Sequence, residues 1–237
     1  MKMKHYLVVV IAGCSMLAHG MQLRSGHANA IRTIEKINDQ ALLAEIAKND
    51  TNEWMRYVAT QKLDDQTLLL EIVRNEDEEE MVRFEAVAKL DDQSLLAEIA
   101  KNDKSEQIRY AAVTKLDNLA LLAEIAKTDM EMGVRLRAVY RLGDQALLAD
   151  IAKNNEYARV RGEALLKIKD QTLFEEIAKN DKEIMNWKAV IDRLNNQALL
   201  ANIAINSDNE RIREAAERRI NAISQHKSKE NAIQETE

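Results

Sequence analysis

The chain of 237 residues is 46% apolar and 31% charged, which is enough of each for a folded body with an apolar core. It has no proline and one cysteine, so short, regular connections between helices are favoured and an intramolecular disulfide is excluded. The formal net charge of −6 argues against a general nucleic-acid binder, because such a protein needs a basic face to neutralise phosphates.

Residues 1–13 (MKMKHYLVVVIAG) are predicted to be a signal peptide. Lys2 and Lys4 give a positive start, and the apolar run over residues 7–13 is far shorter than the roughly 20 residues that a spanning helix needs. The run ends in Ile-Ala-Gly-Cys at Cys14, which resembles the bacterial lipoprotein signal. The resemblance implies that Cys14 is lipidated, becomes the first residue of the mature protein and anchors it to a membrane.

Two alternatives remain for this N-terminal segment. Ordinary signal cleavage, for example after Gly20 or Ala30, would give a soluble periplasmic or secreted protein, and an uncleaved segment would leave Cys14 as a plain thiol. Residues 14–29 are small and polar and are predicted to form a flexible tether, followed by a half-repeat cap over residues 30–38.

From residue 40 onward one block recurs seven times. Its turn position falls at Asp39, Asp65, Asp92, Asn118, Asp144, Asp170 and Asn196. A second column falls at Arg56, Arg83, Arg109, Arg135, Arg161, Trp187 and Arg213. The period is 26 residues, with a single interval of 27 that reflects one extra residue in the acidic loop 76–80.

Each repeat contains two short helical patterns. Apolar residues share one face of the first pattern at Leu42, Leu43, Ile46 and Ala47, and one face of the second at Ile108, Ala112, Val113 and Leu116. No run alternates with period two, so no strand is expected. Because a helix of about ten residues is marginal alone in water, each repeat must bury its apolar stripe against its neighbours. We therefore expect an all-α domain over residues 30–221 and a disordered polar tail over residues 222–237.

The repeats resemble short bacterial HEAT repeats of roughly 26 residues, in their paired helices and in an aspartate six residues before the arginine of the second helix. This spacing occurs at Asp50–Arg56, Asp77–Arg83, Asp103–Arg109 and Asp129–Arg135. The resemblance implies a right-handed α-solenoid of about seven two-helix repeats, in which these residues form a ladder of ion pairs and hydrogen bonds between adjacent repeats. The last three repeats depart from the pattern at Asn155, Trp187 and Ser207.

Residues 30–221 contain no candidate catalytic or metal centre, since all four histidines and Cys14 lie outside this range. This excludes Cys–His pairs, His-dependent triads and the usual zinc ligands. The carboxylates follow the repeat, at Glu45, Glu71, Glu98, Glu124, Asp150 and Glu176, each three residues before a Lys or Arg. We interpret this column as a solvated ridge of pairs within each helix, and the acidic loop 76–80 as a solvated loop. We expect no enzyme, no cofactor, no metal and no small-molecule substrate.

Large side chains occupy outward positions of the second helices, which an amphipathic helix usually gives to polar residues. They are Tyr57, Phe84, Tyr110, Leu136 and Tyr140. Because aromatic residues anchor protein interfaces, this column predicts a partner-binding surface. The alternative is that the rings fill gaps between adjacent second helices and bind nothing.

These observations predict a non-catalytic protein–protein interaction scaffold, lipid-anchored in a bacterial envelope, that binds a protein or peptide on its second-helix face. Acidic charge argues against nucleic acid as the partner. Two other functions stay open. One is a HEAT-like enzyme or enzyme accessory similar to bilin lyases, which requires a cytosolic location, and the other is a purely structural spacer.

Overall fold

The computed structural model describes residue 32, residues 34–180 and residues 187–234, with side chains described as far as residue 226. The predicted signal peptide, Cys14 and the tether lie outside the described residues. Within the described part the chain forms fourteen helices and no strand. The all-α prediction is therefore confirmed for these residues.

The chain divides into two compact units, Met1–Asp91 and Asp92–Glu237. The first unit contains α1 (Gln40–Asn49), α2 (Glu53–Lys62), α3 (Gln66–Arg74) and α4 (Glu80–Lys89). Consecutive helices pack as pairs, α1 with α2 and α3 with α4, and α2 also packs against α4. The second helix of one pair thus lies beside the second helix of the next.

The second unit has the same internal arrangement and contains ten described helices. They are α5 (Gln93–Asn102), α6 (Glu106–Lys115), α7 (Leu119–Thr128), α8 (Met132–Arg141), α9 (Gln145–Asn154), α10 (Ala158–Lys167), α11 (Gln171–Asn180), α12 (Trp187–Arg193), α13 (Gln197–Asn206) and α14 (Glu210–Gln234). The pairs α5–α6, α7–α8, α9–α10 and α13–α14 pack closely, and the second helices α6, α8, α10, α12 and α14 pack in series. Each unit is consistent with an α-solenoid.

The turn column of the sequence begins the first helix of each pair. The Asp39 carboxylate accepts hydrogen bonds from the backbone N–H groups of Ala41 and Leu42, and Asp65 and Asp92 cap α3 and α5 in the same way. Asn118 caps α7 through one such bond. Each cap stabilises its helix by about 1 kcal/mol, and the extended backbone of the cap residue allows a tight connection without proline.

The core consists of two columns that follow the repeat. The first helices contribute Leu43, Leu69, Leu96, Leu122, Leu148, Phe174 and Leu200, all fully buried. The residue that directly follows each second helix from α2 to α12 contributes Leu63, Leu90, Leu116, Leu142, Ile168 and Leu194, all fully buried. One position differs from the expected face of α1, because Leu42 is 46% exposed whereas Leu43 and Ala47 are buried.

Helix α14 continues to Gln234, past residue 221, after which the polar tail is expected to begin. Each earlier second helix is followed, two residues beyond its buried end residue, by the Asp or Asn of the turn column at which the next helix begins. The position equivalent to that capping residue is Ala222, which has no side-chain oxygen to cap a new helix. The helix therefore has no signal to end at this point.

Candidate partner-binding face

The arginine column of the second helices binds the backbone of the preceding loop. Nη1 of Arg56 donates to the carbonyl oxygen of Asp50 at 2.8 Å, and Nη1 of Arg109 donates to that of Asp103 at 3.0 Å. The same bond joins Arg161 to Asn155 (3.0 Å) and Arg213 to Ser207 (2.7 Å). Because the acceptor is a backbone carbonyl, the bond survives in repeats where asparagine or serine replaces the aspartate.

The aspartate side chains of this column shape the loop itself. Oδ1 of Asp50 accepts the backbone N–H of Asn52 at 2.8 Å, and Oδ1 of Asp103 accepts that of Ser105 at 2.9 Å. Asn155 makes the equivalent bond to Tyr157 at 3.0 Å. An Asx-turn of this kind is a property that asparagine shares with aspartate.

Arg109 also makes an ion pair with the loop of the following repeat. Its Nε lies 2.8 Å from Oδ2 of Asp129 and its Nη2 lies 3.0 Å from Oδ1. Both side chains are only 6% exposed, and the hydrogen bond that Arg109 donates to Asp129 raises the pKa of Arg109. In the first unit Arg56 pairs with Glu78 at 2.9 Å in the corresponding way. Such bidentate pairs are the strong form of the arginine–carboxylate contact.

In the second repeat, which has one extra residue in the acidic loop 76–80, a different residue makes the loop hydrogen bond. Helix α3 ends at Arg74, and Asn75 rather than Asp77 occupies the loop position that Asp50 and Asp103 hold elsewhere. Oδ1 of Asn75 accepts the N–H of Asp77 at 3.2 Å. Arg83 is buried, and its Nε donates to the carbonyl of Val73 at 2.8 Å.

Arg135 is the exception in the column. It is 5% exposed, and its Nε has no hydrogen-bond partner in the described part of the chain. The position that Asp129 holds in the preceding repeat is Asn155, whose amide donates to the carbonyl of Ala126 at 3.0 Å. The guanidinium carbon of Arg135 instead lies 3.5 Å from the centre of the Tyr157 ring. The ring therefore partly compensates this buried cation.

A glutamine column that the sequence analysis missed closes each helix pair. Nε2 of Gln40 donates to the carbonyl of Lys62 at 3.0 Å, while its Oε1 accepts the N–H of Asp64 at 3.0 Å. Gln66, Gln93 and Gln145 make the same two bonds with the loops that follow their own pairs. The recurrence of Gln at the first position of the first helix was a visible signal, and Leu119 is the departure from it.

A basic column on the second helices was missed as well. It consists of Lys62, Lys89, Lys115, Arg141, Lys167, Arg193 and Arg219. Five of them donate to carbonyls near the end of the preceding second helix in the same unit, for example Lys89 to Gln61 at 2.7 Å and Arg141 to Leu116 at 2.8 Å. Lys167 donates to the carbonyls of Val139 and Tyr140, and burial lowers the pKa of Lys167. Cations at these positions satisfy carbonyls that the helix end leaves without partners.

The carboxylate column of the first helices forms ion pairs between helices. Lys48 lies 2.6 Å from Glu71, Lys101 lies 3.3 Å from Glu124, and Lys153 lies 3.4 Å from Glu176. The expected pairing was within each helix, three residues apart, whereas here each lysine contacts the acidic residue of the following repeat. The hydrogen bond from Lys127 lowers the pKa of Asp150. These partly exposed pairs contribute about 0–1 kcal/mol each.

The predicted partner-binding residues differ in their surroundings. Tyr57 is half-buried, packs edge-on against Trp54 with ring centres 6.1 Å apart, and its hydroxyl accepts the amide of Gln61 at 2.8 Å. Phe84, Tyr110 and Leu136 are half-buried, and Tyr140 is 54% exposed.

Arg137 connects two of these rings in the second unit. Its guanidinium carbon lies 5.4 Å from the ring centre of Tyr110 on α6 and 5.2 Å from that of Tyr140 on α8. Its Nε donates to Oγ1 of Thr114 at 2.9 Å, and Nζ of Lys167 on α10 lies 5.2 Å from the Tyr140 ring centre. Three consecutive second helices thus share a stack of alternating rings and cations, which we call the Tyr110–Arg137–Tyr140–Lys167 stack. The ring of Tyr110 thus lies near Arg137 of the next second helix, whereas Tyr140 keeps an exposed surface.

Comparison of the chain with protein-family models, with curated proteins and with solved structures found no match. The described residues contain no group of His, Cys, Asp and Glu side chains that could hold a metal ion. None of the described helices is both long enough and apolar enough to cross a membrane. The described residues form an all-helical protein of consecutively packed helix pairs.

Proposed function

We propose that the chain is a non-catalytic protein–protein interaction scaffold, a right-handed α-solenoid of seven HEAT-like repeats that binds a protein or peptide on its second-helix face. The observation that carries the proposal is Tyr140. Its large aromatic side chain is 54% exposed, although the ring contacts the cations of Arg137 and Lys167. Exposed tyrosines held by their neighbours are typical anchors of protein interfaces. Stacked repeats offer an extended surface for such binding.

The proposal also includes export and lipid anchoring through Cys14, which rests on the sequence of residues 1–14. The intact mass of the protein purified from its native host tests this part. A mature chain that starts at an acylated Cys14 supports anchoring, and its processing would be sensitive to globomycin. A full-length chain with an unmodified cysteine would contradict export and favour the cytosolic alternative.

Crosslinking in native envelope extracts tests the binding face. Tyr140→Ala removes the exposed ring and is expected to abolish the crosslink to a partner identified by mass spectrometry. Ile205→Ala is the matched control, because Ile205 is 76% exposed at the end of the first helix α13. If both variants retained the same crosslinked partner, the second-helix face would not be the binding surface.

A further inference from the structure

We propose that the Tyr110–Arg137–Tyr140–Lys167 stack is a carboxylate-binding site, and that the partner segment which occupies it is an acidic peptide. The inference rests on the proposed function and specifies the chemistry of the partner. The central residue is Arg137, because its side chain is held by neighbouring groups while its Nη1 and Nη2 donors have no partner among the described residues.

Arg137 is half-buried and has three neighbouring groups. Thr114 on α6 accepts the hydrogen bond of its Nε, and the ring centres of Tyr110 and Tyr140 lie 5.4 and 5.2 Å from its guanidinium carbon. Within the described residues neither Nη1 nor Nη2 has a hydrogen-bond partner, although a guanidinium group carries four N–H bonds on these two atoms. An arginine with its side chain already ordered loses little further entropy when it binds.

The position of Arg137 within the repeat is unusual. It lies two residues after the arginine of the repeating column, and the equivalent residues of the other repeats are Val58, Glu85, Ala111, Glu163, Ala189 and Ala215. The packing of the repeats therefore does not require a cation at this position. The guanidinium is a feature of the fourth repeat alone.

Helices α8 and α10, which carry three of the four residues of the stack, are basic although the chain as a whole is acidic. Helices α8 and α10 carry six basic residues, Arg135, Arg137, Arg141, Arg159, Arg161 and Lys167, against the single acidic residue Glu163. The formal net charge of the whole chain is −6. Charge complementarity therefore favours an anionic segment at this part of the second-helix face.

A carboxylate fits the free donors of this site. The Nη1 and Nη2 groups of arginine match the two oxygens of a carboxylate in a bidentate pair. The hydroxyls of Tyr110 and Tyr140 belong to the rings that flank the guanidinium, and they supply further donors for an acidic side chain. A glutamate or aspartate side chain of a peptide is thus the ligand that the site accommodates, with the peptide methylenes against the tyrosine rings.

Fluorescence anisotropy of labelled peptides tests the inference on the full chain. Hexaglutamate is expected to bind, whereas hexaglutamine of the same length is not, and the binding should weaken as salt is added. Arg137→Gln is expected to weaken hexaglutamate binding at least ~10-fold, because it removes a charge-assisted bidentate contact. Arg137→Lys, which keeps the charge but loses the fork, should fall between the two.

Arg211→Gln is the matched control, because it removes the same charge from an exposed position of α14, outside the stack and its two basic helices. It should change the affinity less than ~2-fold, as expected for an exposed charge that is screened by solvent. Circular dichroism of each variant establishes that it is folded. Equal affinities of the Arg137→Gln and Arg211→Gln proteins would overturn the proposal, as would equal binding of hexaglutamine and hexaglutamate.

The outcomes also separate this inference from the proposed function. A partner that crosslinks to the wild type and equally to Arg137→Gln would overturn the carboxylate site and leave the scaffold function standing. Hexaglutamate binding that depends on Arg137, without any partner in native extracts that Tyr140→Ala removes, would support the site and contradict the proposed scaffold. Vesicles of phosphatidylglycerol that bind in an Arg137-dependent way while hexaglutamate does not would overturn the peptide assignment.

Discussion

Replacing Asp129 by asparagine is expected to destabilise the second unit by about 2–3 kcal/mol. Asp129 receives two hydrogen bonds from Arg109, at 2.8 and 3.0 Å, and each charge-assisted bond contributes about 1.5–3 kcal/mol. Asparagine keeps one oxygen, so it retains one of these bonds and the turn bond to the N–H of Glu131 at 2.8 Å. The other bond and the negative charge are lost while Arg109 stays buried, which is the usual reason that broken buried pairs are costly.

The assay is urea unfolding combined with amide hydrogen exchange in α6 and α8, because the two compact units need not unfold together. Asp117→Asn is the matched control. Asp117 pairs with Arg141 at 3.1 Å, but its side chain is 76% exposed, so its loss should cost less than about 0.5 kcal/mol. Equal losses of stability in the two variants would refute the reasoning that burial makes the Arg109–Asp129 pair important.

Three further predictions follow from other contacts. Asn155→Asp should raise the free energy of unfolding by about 1 kcal/mol. The new carboxylate gains a charge-assisted hydrogen bond from the buried Arg135 and loses the one amide bond to the carbonyl of Ala126. A lower stability in urea denaturation would contradict this expectation. Gln93→Ala removes two hydrogen bonds to the loop after α6 and should cost about 1 kcal/mol, measured in the same way, whereas Ser94→Ala, which changes an exposed neighbour, should cost less. Carbon-13 NMR of methylated lysines should give Lys167 a pKa below the ordinary lysine value of 10.5, because burial disfavours its charged form. Because the folded protein disfavours the charged form of Lys167, the free energy of unfolding increases as pH rises from the lowered pKa to the ordinary value. A measured pKa of Lys167 at the ordinary value would contradict its burial.

The sequence predicted the helices well because their signals are local. Asp39 and Asn118 cap helices through the backbone two or three residues ahead, and the apolar columns at Leu96 and Leu116 mark the buried faces within a single repeat. A capping oxygen and a period of 3.6 residues are both visible in a short window of sequence.

The contacts between repeats could not be predicted in the same way. Lys89 reaches the carbonyl of Gln61, 28 residues earlier, and Arg109 reaches Asp129, 20 residues later. These distances along the chain depend on how one helix pair packs on the next, which the period of the sequence does not encode. The candidate site shows the same limit, because Tyr110 and Tyr140 were visible as a column whereas Arg137 between them was not.

The backbone bonds of the basic column have a consequence for how such a chain changes in length. In each of these contacts one repeat supplies the side chain and the end of the preceding second helix supplies only a peptide carbonyl. A carbonyl is present whatever residue carries it, so the accepting position is free to vary in sequence, as Gln61, Leu116 and Leu166 illustrate. A duplicated or deleted 26-residue block would therefore keep these bonds without any matching substitution at the accepting position.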